Sequence, residues 1–232
     1  MAMKIQIITS CTAKKAVGKN TKLPDFDELQ LIRSGEAASP LHLRPLPAAE
    51  MYTGRQHLFV KRALAAASGD DSSLELSLYI VSAGYGLVSG SDLILPYEST
   101  FSNKNKTEIK NMSTRLNLPR KMSELLQKQT NLNLFLLGSK YLQACQLSSQ
   151  TEVSAPSFFL TAASASAHIP GGGIHIPLGR KEAARYKKTL IALKGYLAGI
   201  YLHGLQRDPS NHEFTVAGFF KTIQRELALT DL

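Results

Sequence analysis

Two cysteines, Cys11 and Cys145, are all that the chain carries. No C-x-x-C pair and no Cys/His cluster accompanies them, which argues against a zinc site and a disulfide framework and points to a reducing compartment. Three familiar signatures are also missing: a Walker A pattern, a G-x-G-x-x-G after a strand, and a G-x-S-x-G elbow. Standard ATP and dinucleotide sites and the α/β-hydrolase triad therefore lose their support, and no cofactor or metal is expected. No apolar run approaches the roughly 20 residues a bilayer span needs. The opening "MAMKIQIITS" has one Lys and no A-x-A pattern, so no secretory signal and no membrane partner are expected, and cytoplasm is the default. Acidic residues are the last shortage. Against 27 Lys+Arg stand 18 Asp+Glu, a net charge of +9, with a pI near 9.5. That surplus favours phosphate-bearing partners, nucleic acid or nucleotide, although basic charge also serves solubility.

What is present reads as a soluble globular chain, 44% hydrophobic and 19% charged over 232 residues, long enough for one sizeable domain. The segments 4–9 (KIQIIT), 76–83 (LSLYIVSA), 132–138 (LNLFLLG) and 157–162 (SFFLTA) are short, nearly continuous apolar runs, the pattern of strands buried on both faces. Helical stretches lie between and after them. Residues 47–68 read as one helix opened by Pro47, 106–117 and 119–130 as two parted by Pro119, 139–149 as a short one, 180–205 as a long basic one, and 215–229 as another. The resulting fold class is α/β, a mostly parallel sheet flanked by helices, as a single domain with a helical C-terminal part. The expected division is an α/β core over 1–178 and basic C-terminal helices over 179–232.

In open α/β sheets ligands sit outside the carboxyl ends of the strands. Here each strand leaves on small polar residues: Thr9 and Ser10, Ser82, Gly138 and Ser139, Thr161 and Ser164. They suit a shared polar pocket, or simply turns and caps. After the first strand comes "SCTAKKA", in which Cys11 is either a nucleophile or an inert buried thiol. Lys14 and Lys15 are expected to hold phosphate, with an amine nucleophile as the other option if one is desolvated. Within the low-complexity run 164–179, His168 and His175 flank Gly171–Gly173 as proton donors or as ordinary surface residues. Arg180, Lys181, Arg185, Lys187, Lys188 and Lys194 can track a phosphate backbone or form a solvated face.

The stretch "IVSAGYGLVSGSDLILPYESTF", residues 80–101, carries the densest set of candidates. Together with "EMYTGRQ" and "TSCTAKKA" it resembles the matching pieces of the YaaA-like peroxide-stress proteins and related prokaryotic and phage-defence domains, and more distantly the core of archaeosine synthase. The resemblance covers about residues 4–145. It implies a DNA- or tRNA-directed α/β protein whose pocket gathers Cys11, Lys14, Tyr52, Ser82, Tyr85, Asp92 and Tyr97. To these the candidate site adds Ser10, Lys15, Thr53, Gly86, Ser139 and Lys140 as substrate contacts. Tyrosines can stack on a flipped base while hydroxyls read its edge. Asp92, with Tyr97 and His168, would be catalytic, the carboxylate activating water or stabilising an oxocarbenium-like sugar. Equally, Asp92 can cap a turn and the tyrosines can be core. The expected function is a DNA glycosylase acting on a flipped base, in phage defence as the resemblance suggests. A non-catalytic DNA-binding stress protein and a tRNA-base modifying enzyme are the alternatives, with DNA the favoured nucleic acid and the oligomeric state left open.

Overall fold

A computed structural model describes residues 2–18, 20–67, 73–210 and 213–230. Among them six strands form one sheet: β1 (Met3–Ser10), β3 (Leu74–Ser82), β4 (Gly86–Ser89), β6 (Leu132–Leu136), β7 (Ser157–Thr161) and β8 (Ile174–Pro177), in the order β4-β3-β1-β6-β7-β8. All neighbours are parallel except β3 and β4, which pair antiparallel. The four apolar runs are β1, β3, β6 and β7. Every residue of β6 and β7 is buried, as expected for strands covered on both faces. β2 (Leu46–Pro47) and β5 (Leu93–Ile94) make a separate two-stranded ribbon.

The sheet is mostly parallel because helices supply the crossovers. Between β1 and β3 lie α1 (Phe26–Ser34), α2 (Ala48–Met51) and α3 (Arg55–Ala66). Then come α4 (Lys106–Arg115), α5 (Leu118–Leu126), α6 (Ser139–Cys145), α7 (Arg180–Arg185), α8 (Leu190–Arg207) and α9 (Val216–Thr230). The connection β1 to β3 moves one way along the sheet and β6 to β7 the other. Right-handed crossovers in opposite directions place α3 on one face and α6 on the other. α8 packs against α3 and α9 against α8; α4, α5 and α6 pack together. No helix among the described residues is long and apolar enough to cross a membrane.

Two expected helices are broken, each for a visible reason. The helix read over 47–68 divides into α2 and α3 because Tyr52 leaves the helical path to form an isolated antiparallel bridge with Lys15. Pro47, expected to open it, is the N-cap of α2 and at the same time the last residue of β2, paired with Leu93. The helix read over 180–205 divides into α7 and α8. Lys187 takes a left-handed conformation, φ 50°, and the Thr189 hydroxyl accepts the Ala192 N–H at 3.3 Å to cap α8. Pro119 falls in the first turn of α5, where its missing N–H costs nothing.

Candidate functional site at the carboxyl edge of the sheet

The strand order reverses beside β1, so the crevice between the carboxyl ends of β1 and β6 is where a ligand would be sought. That crevice is plugged by Gln56, whose amide Nε2 donates to Thr9 Oγ1 at 2.7 Å and to the Leu136 carbonyl at 2.8 Å. The polar groups gather beside the plug, over the ends of β1 and β3.

Gln56 opens α3, which is held in place by the loop after β1. The Thr53 N–H donates to the Lys14 carbonyl at 3.0 Å, and the Ala16 N–H to the Met51 carbonyl at 2.8 Å. This tie draws Tyr52 inward, where its hydroxyl donates to Ser82 Oγ at 3.2 Å and pairs with the Tyr97 hydroxyl at 2.9 Å; Ser82 Oγ and Tyr97 lie 2.7 Å apart. Ser82 also accepts the Gly84 and Tyr85 N–H groups. Burial pushes both tyrosine hydroxyls well above their ordinary pKa, so they stay protonated. The small residues of the opening stretch have local reasons. A Cβ on Gly84 would come within 2.8 Å of the Tyr97 ring, and Gly86 has φ +79° with the Leu116 carbonyl against it.

Residues 96–101 then cross the strand ends towards α6. Ser99 Oγ donates to the Ala83 carbonyl, and Thr100 Oγ1 meets the Tyr141 hydroxyl at 3.3 Å. Tyr141 in turn lies 3.1 Å from Cys11 Sγ, with burial holding its hydroxyl protonated. Beneath this crossing sits Lys15, 7% exposed. Its Nζ lies 4.6 Å from the centre of the Tyr97 ring and makes no hydrogen bond or ion pair among the described residues. Desolvation lowers its pKa, opposed by the fields of Cys11 and Glu98. A buried amine with a lowered pKa and no carboxylate bound to it is a chemically capable group at this end of β1.

The structure thus brings Cys11, Lys15, Tyr52, Ser82, Tyr85 and Tyr97 together, with Ser10 and Thr53 beside them in the chain. Tyr97 is fully buried and its ring and hydroxyl are occupied, so it is not a stacking platform. Tyr85 is fixed by the Leu95 N–H at 2.9 Å and covered by Arg33. Other predicted residues lie elsewhere. Asp92 is exposed and accepts the Ser89 N–H at 2.8 Å, capping the 89–92 turn. Ser89 pairs with Tyr79, three residues before the end of β3, so this turn lies about 10 Å back from the strand ends. His168 ends the 3₁₀ turn after β7, a strand three places and so about 14 Å from β3 in the sheet. The Lys14 side chain is exposed, and Lys140 is turned to the Lys104 carbonyl at 2.6 Å. Gly86 shapes the turn and Ser139 lines a different cavity.

Arg180, Lys181, Arg185, Lys187 and Lys188 do not form one stripe, because the helix carrying them is broken. Lys187 and Lys188 instead join Arg55 and Arg62 of α3 around a cleft of about 350 Å³ that no carboxylate among the described residues lines. Sequence reasoning missed Tyr141, Gln56, Arg55 and Arg62. Nothing local marks them: the partner of Tyr141 lies 130 residues away. Among the described residues no three His, Cys, Asp or Glu side chains gather as a metal site.

No curated protein matches the chain. A family model does, over residues 39–162, from the loop before β2 to the end of β7. This span takes in Tyr52, Ser82, Tyr97 and Tyr141 and leaves out Lys15 and the basic residues around α8. On that match the chain belongs to the DUF6884 family, a family of unknown function.

Proposed function

We propose that the protein is a DNA-acting enzyme that processes a nucleobase, cleaving its N-glycosidic bond, with Lys15 rather than Asp92 as the reacting group. The observation that carries this reading is the buried Lys15 amine, free of any carboxylate partner, at the carboxyl end of the central strand. A lowered pKa raises the neutral fraction of the amine, the form that attacks. Its lone pair forms a bond to C1′ of a flipped nucleotide as the bond from C1′ to the base breaks. The electron pair leaves with the base, which takes up a proton. Opening of the sugar ring gives an imine, and water then returns the amine and leaves an abasic strand. The basic cleft of Arg55, Arg62, Lys187 and Lys188 supplies phosphate contacts. The resemblance to YaaA-like proteins and their phage-defence relatives favours DNA over tRNA as the substrate.

Chromatography and mass spectrometry of bases released from native and phage DNA, and from tRNA as a second arm, test the proposal. The unaltered chain should release a base and Lys15→Met should not, while keeping its fold and its DNA affinity. Equal release by Lys15→Met would remove Lys15 from the reaction. A second reading, a DNA-binding protein without a reaction, draws support from the closed Tyr52–Ser82–Tyr97 triangle, which leaves no hydroxyl free for a base.

A further inference from the structure

The other half of the carboxyl edge carries a cavity of its own, about 370 Å³, that uses no residue of the Lys15 site. Its walls come from the ends of β6, β7 and β8 and from the start of α8, and include Gly138, Ser139, Thr161, Arg180, Leu190 and Lys194. Two of its polar groups lack partners. Thr161 is 2% exposed and its Oγ1 makes no hydrogen bond. Lys194, which lies one helical turn after Leu190, makes no hydrogen bond or ion pair among the described residues, and burial pushes its pKa down to about 8.

Buried polar groups are ordinarily satisfied, and a buried cation is ordinarily paired. Among the described residues the charged side chains lining the cavity are Lys194 and Arg180, both cationic, beside the first residue of an 18-residue helix whose N-terminus also favours anions; the nearby Glu182 carboxylate is engaged by the Gly179 N–H at 2.8 Å. The chemistry of this lining suits an anion. Two cations and two hydroxyls on several sides match an ion with three outward oxygens and up to two charges better than a planar carboxylate. The volume also leaves room for more than the anion itself.

We infer that this cavity binds the phosphate group of a nucleotide, with Lys194 and Arg180 as its cations and Thr161 and Ser139 as its hydroxyl partners. The site stands whether or not Lys15 cleaves a base. The phosphate can belong to a free nucleotide or to a nucleic-acid strand, and titration separates the two. Calorimetry would use inorganic phosphate, deoxyadenosine 5′-monophosphate and a short DNA duplex with 5′-hydroxyl ends, on the full chain and on Lys194→Met, Arg180→Ala and Lys15→Met.

Lys194→Met should weaken binding by about tenfold or more, the loss of a charge-assisted contact. Exposed Arg180→Ala should lose less, and Lys15→Met should bind as the parent does. Monophosphate binding that depends on Lys194 assigns the cavity to free nucleotides; Lys194-dependent binding of the duplex alone assigns it to a strand. Undiminished affinity of Lys194→Met for all three probes would overturn the inference, as would failure of all three to bind the parent. Arg180→Ala, at the exposed rim, keeps the test valid if Lys194→Met does not fold.

Discussion

Removing the charge of Lys194 should make the protein more stable, and the size of the gain follows from its surroundings. The ammonium is desolvated and nothing in the fold repays it, so its pKa falls from 10.5 to about 8. At 1.36 kcal/mol per pKa unit that fall corresponds to about 3 kcal/mol of destabilisation. Lys194 keeps partial solvent contact, which screens some of this, and about 1–2 kcal/mol should be recovered in Lys194→Met, whose side chain has nearly the same length. For a chain of this size that is about 3–6 °C in Tm. The sign fixes the pH window. Below about pH 8 the folded lysine is charged and the full penalty is present. Between about 8 and 10.5 the folded chain has released the proton that the unfolded chain still holds, so the parent gains stability as pH rises. Scanning calorimetry of both proteins without phosphate should find the advantage of Lys194→Met full at pH 7 and nearly gone at about pH 10. No advantage at pH 7, or an equal advantage at both pH values, would refute the claim that an unpaired charge is buried there. A variant that is more stable yet binds phosphate less well also cannot owe the loss to unfolding.

Two further outcomes follow from the same placement of residues. Asp92 accepts one N–H in an exposed turn, so Asp92→Asn should leave base release within about twofold of the parent, whereas Asp92→Ala should cost about 1 kcal/mol, measured by urea denaturation; a rate drop near 100-fold in Asp92→Asn would return the carboxylate to the reaction. DNA affinity should fall steeply with salt, and replacing Arg55 and Lys187 by Ala should flatten the slope of log affinity against log salt by about 2 in filter binding; a slope unmoved by the double change would detach this cleft from the nucleic acid.

The sheet was legible because its buried strands are written as short, unbroken apolar runs rich in Ile, Val, Leu and Phe and bounded by small or polar residues. β4 and β8 were not, since Gly86–Ser89 and Ile174–Pro177 lie among glycines and prolines that read as loop. The continuous helices over 47–68 and 180–205 failed for a different reason. Local periodicity favours continuation at Tyr52 and Lys187, and tertiary bonding to the loop after β1, or a left-handed residue, overrides it. At the site, sequence brought Tyr52, Ser82 and Tyr97 into one list but could not say which way their hydroxyls faced. They face one another. Asp92 had a local partner and a distant use open to it, and the local hydrogen bond won. Lys15 and Lys194 show the limit most plainly: sequence alone does not separate a buried lysine from its solvated neighbours, because its burial is made by strand ends and crossings far along the chain.

Borohydride reduction tests the central claim most directly, because it fixes the imine that an amine nucleophile must form with an opened sugar. The protein would be incubated with DNA that it depletes of a base, reduced, digested and mapped by mass spectrometry. The expected result is a nucleotide-derived mass on the peptide containing Lys15, absent from Lys15→Met and absent without reductant. Base release with no adduct on any lysine, or with the adduct on another lysine while Lys15→Met remains fully active, would contradict the account.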